Sequence, residues 1–142
     1  MNRDSHDRFG GPRGRLKLAV AVVLLPVLAL WGYGSAAAQD SKTLARYRAW
    51  MVEARAMYPY PQSVDKMYRV MMCESSGNPR AVGGGGAWLG LFQYAPGTWR
   101  GSWNPYRNQS IWDARAQIFA TAKAWSIGMQ SHWSCYYKTK GR

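Results

Sequence analysis

The sequence predicts a mainly α-helical, α+β chain: one small domain of packed helices with a short extended segment, a groove and one disulfide. Three observations carry the prediction. Apolar residues recur at spacings of three and four in three separate stretches; proline and glycine breaks fall between those stretches; and two cysteines occur in a chain that opens like an exported protein. With 142 residues, 47% of them hydrophobic, the chain can bury one core and little more.

Residues 1–38 read as a leader. Arg13, Arg15 and Lys17 precede an apolar run of 14 residues, Leu18 to Trp31, and Ala36–Ala38 supplies a small-residue cleavage site. The expectation is a signal peptide cut after Ala38. The alternative is an uncut N-terminal anchor, because the 21 residues from Leu18 to Ala38 are long enough to span a bilayer. Either way the remainder is expected outside the cytoplasm, secreted or associated with the cell wall.

Residues 39–61 form an N-terminal helix and linker: Leu44, Tyr47, Trp50, Met51, Ala54, Met57 and Tyr58 lie on one face of a helix over Thr43 to Tyr58, which Pro59 and Pro61 end. The main domain occupies residues 62–142. Its first helix starts at Ser63 as N-cap, carries Val64, Met67, Tyr68, Met71 and Met72 on one face, and breaks at Ser75-Ser76-Gly77-Asn78-Pro79. Gly83 to Gly86 is expected as a loop, Ala87 to Tyr94 as a short extended segment, and Pro96 to Trp99 as a short helix opened by proline. A longer helix over Ser110 to Ser126 shows Ile111, Ala114, Ile118, Phe119, Ala122 and Trp125 as its stripe, and Gly128 ends it.

The formal charge of the whole chain is +12, and residues 39–142 hold 14 lysines and arginines against Asp40, Glu53, Asp65, Glu74 and Asp113. An exported domain so basic favours an acidic polymer: a cell-wall glycan with its acidic attachments, an anionic membrane face or nucleic acid. The arginines are scattered from Arg46 to Arg142, which argues against nucleic acid.

Cys73 and Cys135 are the only possible intrachain pair, and export favours their oxidation. Closing a 62-position loop stabilises by about 4 kcal/mol in the chain-entropy model. A free catalytic Cys73 is the sharper alternative, but it would need His132, the only histidine after the leader, as its base. A Ser-His-Asp triad would have to recruit the same histidine. No metal or cofactor is expected: there is no histidine cluster, no four-cysteine pattern, and the glycine run lacks the Gly-Lys-Ser/Thr of a phosphate-binding loop.

Glu74 is the carboxylate to explain. It falls in the last turn of its predicted helix, where the carbonyl end of the dipole disfavours negative charge. Apolar neighbours there should raise its pKa, as a general acid at neutral pH requires. Asp65 lies about 13 Å back along the helix and half a turn round. Asp113 would need the fold to bring it near.

The stretches "CESSGNPRAV", "GLFQYAPGTW" and "NQSIWDARAQI" resemble, in order and spacing, motifs of the soluble lytic transglycosylase domain, whose fold is lysozyme-like. The Cys73-Glu74-Ser75 start and the closing "HWSC" resemble more closely the resuscitation-promoting factors of actinobacteria, small secreted members of that superfamily. The resemblance covers roughly residues 62–136; Ser110 stands where asparagine is usual, and no later Ala-Tyr-Asn motif follows. It implies that Glu74 protonates the glycosidic oxygen of a peptidoglycan strand between MurNAc and GlcNAc, that Gln93 contacts substrate, and that Cys73 pairs with Cys135. Ser75, Tyr94 and Trp99 are further expected substrate contacts, with Trp103 beside Trp99. The partner expected is therefore the peptidoglycan glycan strand, met by a monomer, with nucleic acid kept only as a remote alternative. Two alternatives stay open, a muramidase-type hydrolase of the same bond and a module that binds wall glycan without cutting it.

Overall fold

A computed structural model describes residues 27–140, with side chains from Asp40 onward. The basic residues and most of the apolar run of the expected leader lie outside the described residues. The elements are α1 (Val27–Met57), α2 (Val64–Ser75), β1 (Val82–Gly83), β2 (Trp88–Leu89), α3 (Pro96–Trp99), α4 (Ala114–Ser126) and α5 (Ser134–Lys138). The chain is thus mainly helical, with one two-stranded antiparallel sheet and one disulfide. Among the described residues no helix is long and apolar enough to cross a membrane.

α1 extends N-terminal to the expected start at Thr43 and runs through Ala36–Ala38. No proline interrupts Val27 to Tyr58, and the alanine, glutamine and lysine content around 36–42 favours continued helix. α2 matches its predicted limits because Ser63 caps it, its side chain accepting from the Lys66 N–H at 3.1 Å. At the other end Ser76 takes a left-handed conformation and its N–H donates to the Met72 carbonyl.

α4 begins at Ala114, four positions later than expected. Asp113 is its N-cap, accepting from the Ala116 N–H at 2.8 Å, so residues 110–113 form the approach to the helix. The single stripe read from the sequence understates α4: every residue from Ala116 to Ala122 is buried, as are Ala124 and Trp125. It is the central helix, packed against Tyr47, Met51 and Ala54 of α1, and its alanines let the helices approach closely. Met67, Val70 and Met71 of α2, Leu91 and Phe92, and Trp133 complete the core.

The glycine segment is an ordered hairpin turn. Val82 pairs with Leu89 and Gly83 with Trp88, and Gly84–Gly86 close the turn with positive φ at all three. The tail, for which no element was expected, holds a 3-10 turn at Met129–His132 and then α5.

Candidate functional site

α2 delivers Glu74 in its last turn, and α5 meets it there. Cys73 and Cys135 are bonded, with their Cα atoms 5.9 Å apart, so the carboxyl end of α2 is joined to the amino end of α5. The first amides of a helix have no partner within it. The Cys135 N–H finds one outside, donating to Glu74 Oε1 at 3.3 Å. The unfavourable carbonyl end of α2 is therefore offset by a donor the sequence does not reveal.

α5 is held at its other end as well. Lys66, buried on α2, donates its ammonium to the carbonyls of Tyr136 at 2.7 Å and of Thr139. A cation at the carboxyl end of a helix complements its dipole. Gln62 donates to the Tyr136 hydroxyl at 2.9 Å.

Glu74 opens into a pocket of about 390 Å³ shared with Trp88, Gln93, His132, Trp133 and Ser134. A smaller one of about 90 Å³ shares Trp88, Gln93, His132 and Trp133 and continues to Ala95, Thr98 and Met129, so the two adjoin along one wall. Burial raises the pKa of Glu74, while the Cys135 N–H and the charge of Lys138 lower it; burial prevails. A carboxyl so placed holds its proton to higher pH than an exposed one, and can still accept one back. Among the described residues no other carboxylate lines either pocket.

Gln93 belongs to the opposite wall. It has φ 50°, a left-handed conformation unusual for a residue with a side chain. Its Nε2 donates to the carbonyls of Ala81 at 3.2 Å and Gly90 at 2.9 Å, tying the two ends of the hairpin together. Its Oε1 lies 2.2 Å from the ideal position of a Cβ on Gly83, so a larger residue at 83 would push the Gln93 amide out of its place. Gln117, buried on α4, accepts from the Phe92 N–H at 2.8 Å and donates to the carbonyls of Leu89 and Ile111, which anchors the hairpin's base to the core. The Trp133 indole N–H donates to the Phe92 carbonyl at 2.8 Å.

Of the other expected substrate contacts, only Tyr94 reaches either pocket. Ser75 does not line the pocket: its hydroxyl donates to the Met71 carbonyl and accepts from the Gly77 N–H, finishing α2. Tyr94 reaches the smaller pocket from inside the core, only 2% exposed, with its hydroxyl bonded to Thr121. Trp99 is 3% exposed and its indole N–H donates to the Gln109 carbonyl at 3.1 Å. Trp103 is half-buried and stacks on Tyr94. Packing takes these rings because a small domain draws much of its buried area from aromatics.

Neither spare aspartate comes to Glu74. Asp65 pairs with Arg48 and Arg69, and Asp113 caps α4. What sequence reasoning did not place beside Glu74 is Trp88, half exposed at the hairpin, and His132, weighed there only as the base for a cysteine or serine nucleophile; His132 is exposed on the facing turn, and both residues line both pockets. The signal for Trp88 was its place just past a run of glycines, with Ala87 between, where it has no periodic stripe to join. Among the described residues no cluster of three or more histidines, cysteines or acids is gathered for a metal. The chain matches no protein-family model, no curated protein and no solved structure.

Proposed function

We propose that the chain is an exported peptidoglycan-cleaving enzyme, a lytic transglycosylase of lysozyme-like type that cuts the bond between MurNAc and GlcNAc with Glu74 as its single acid and base. The observation that carries the reading is the pairing of a half-buried, pKa-raised Glu74 with a pocket that no second carboxylate lines among the described residues. Protonated Glu74 donates to the glycosidic oxygen as the bond to the anomeric carbon breaks. The carboxylate then takes the proton of the muramic 6-hydroxyl as that oxygen attacks the same carbon, giving a 1,6-anhydro sugar. Glycosidases that admit water usually hold it with a second carboxylate. The 6-hydroxyl route needs none.

Trp88 offers a ring face to a sugar, and the Gln93 wall narrows the pocket opposite the acid. Glu74→Gln is nearly isosteric and cannot donate the proton, so release of soluble fragments from peptidoglycan should fall roughly a hundredfold or more with an unchanged circular dichroism spectrum. Cleavage within a few-fold of the parent would sink the assignment.

His132 favours one second reading. It lines the pocket that holds Glu74, and an imidazole there can hold a water for hydrolysis in place of the missing carboxylate. The two routes differ in product mass by one water.

A further inference from the structure

Beyond the Glu74 pocket lies a second open cleft of about 460 Å³, on the far side of α3. The pocket touches Ala95 and Thr98, whereas the cleft touches Pro96, Trp99 and Arg100, so the single turn of α3 is the ridge between them. Arg100 and Arg107 line the cleft, together with Trp112 and the polar run Asn108 to Ser110. A third guanidinium stands near its edge, Arg80, 5.8 Å from the centroid of the Trp112 ring.

The charges at this cleft are not neutralised within the fold. The ion pairs among the described residues engage Arg48, Arg69 and Arg115 with Asp65 and Glu53. Arg80 and Arg100 make no ion pair among the described residues, and Arg107 gives one nitrogen to two carbonyls, Ser102 at 3.3 Å and Asn104 at 3.5 Å. Asp113, next to Trp112, spends Oδ1 on the α4 cap and does not line the cleft. Arginines left with open donors, separated by neutral amides and a hydroxyl, suit discrete carboxylates spaced by peptide groups. A polyphosphate chain is better met by a continuous row of cations.

We propose that the cleft formed by Arg100, Arg107 and Trp112 binds the carboxylate-bearing stem peptide of the glycan strand held at Glu74. The proposal rests on the reading of the chain as a peptidoglycan-cleaving enzyme. The peptide hangs from the muramic unit, and four extended residues reach roughly 13 Å. A helical ridge is about 10–12 Å across. A peptide leaving the Glu74 pocket therefore has the length to cross α3 and place its free carboxylates between the two arginines.

Calorimetric titration of the purified protein with a soluble stem tetrapeptide tests the cleft without requiring cleavage. Binding is expected for the peptide with free carboxylates and not for the same peptide amidated. Arg100→Gln and Arg107→Gln should each weaken it about tenfold, the loss expected for a charge-assisted hydrogen bond. Arg100→Lys should recover part of the loss, and Arg46→Gln, which removes the same charge from α1, should not change it. In the unsubstituted protein the Nε–H resonances of Arg100 and Arg107 should shift on peptide addition, a readout that does not depend on the variants folding.

On glycan strands, the ratio of cleavage of peptide-bearing to peptide-stripped material should fall about tenfold in the doubly substituted protein. Failure to bind the acidic peptide, binding indifferent to both arginines, or stronger arginine-dependent binding of a polyol phosphate or an oligonucleotide would overturn the proposal. Peptide binding through Arg100 and Arg107 by a protein that cuts no strand would support the cleft and remove the cleavage reading instead.

Discussion

The two walls of the Glu74 pocket are built in opposite ways. On one side α2 and α5 are joined by the Cys73–Cys135 bond, by Lys66 on the last carbonyls of α5, by Gln62 on Tyr136, and by the Cys135 N–H on Glu74 itself. On the other side a hairpin of two-residue strands carries its glycine turn and the half-exposed Trp88 into solvent, and is held at its base by Gln117 and Gln93. The difference teaches where position matters. On the proposed reading, an acid must be held to within a fraction of an ångström of the atom it protonates, and the fold places its cross-links there. On the same reading, a wall that only has to lie along a sugar can be anchored at one end.

Breaking the joined wall should have the largest effect. Replacing Cys73 and Cys135 together by serine opens a loop of 62 positions, and about 4 kcal/mol of stability should be lost in the chain-entropy model. Cleavage should fall with it, because α5 is then no longer bonded to α2 at the point where the backbone N–H of residue 135 meets Glu74. Denaturant unfolding alongside a cleavage assay checks both; a double variant that keeps full activity and stability would show that the joint is dispensable.

The hairpin's base comes next. A Cβ on Gly90 would sit 2.0 Å from Gln117 Nε2, at a backbone φ of +79°. Gly90→Ala should therefore lose roughly 1–3 kcal/mol, the usual range for overpacking. At the pocket face, Gly83→Ala meets the Gln93 amide at the far end of a side chain that can yield. That variant should melt within a few degrees of the parent and yet lose activity, since Gln93 must leave its place in the wall. Gly85→Ala, with nothing within 4 Å, should lose about 1–2 kcal/mol from its left-handed backbone alone and leave cleavage nearly intact. Equal losses of activity at 83 and 85 would refute a specific role for the Gln93 wall.

How far each wall could be read beforehand follows from the range of the forces that build it. Ser63 as a cap and the break after Ser75 are local, and α2 with Glu74 in its last turn was legible. The helix expected from Ser110 starts at Ala114 because Asp113 turns out to be its cap, a distinction that periodicity cannot make. α5 has five residues, too few to show a period, and its ties to Lys66 and Glu74 span 70 and 61 positions. Trp99 was expected at the substrate and lies in the core, and Tyr94 touches the smaller pocket only from within the core, whereas Trp88 and His132 line both pockets. Ring type was visible in the sequence, but which rings the core would take depended on packing.

The smallest effects sharpen the electrostatics of the joined wall. Burial raises the folded-state pKa of Glu74 above its unfolded value, so as pH rises the unfolded chain gives up its proton first. Stability should therefore fall across that interval, and Glu74→Gln should remove the fall. For the proposed activity the protonated acid is needed at the start of the cycle, so the alkaline limb of kcat/KM should lie above the pKa of an ordinary exposed glutamate. Lys138→Gln withdraws a charge that lowers the Glu74 pKa and should move that limb to still higher pH. A limb that moves the other way would mean that Lys138 does not act through Glu74.

A lone carboxylate serving as acid and base is most directly tested by the mass of the products. Peptidoglycan digested to completion by the purified protein should yield muropeptides ending in 1,6-anhydro-muramic acid, lighter by one water than hydrolytic fragments and inert to borohydride. Reducible muramic ends without anhydro species would contradict the single-carboxylate mechanism and turn attention to His132 as the group that holds the attacking water.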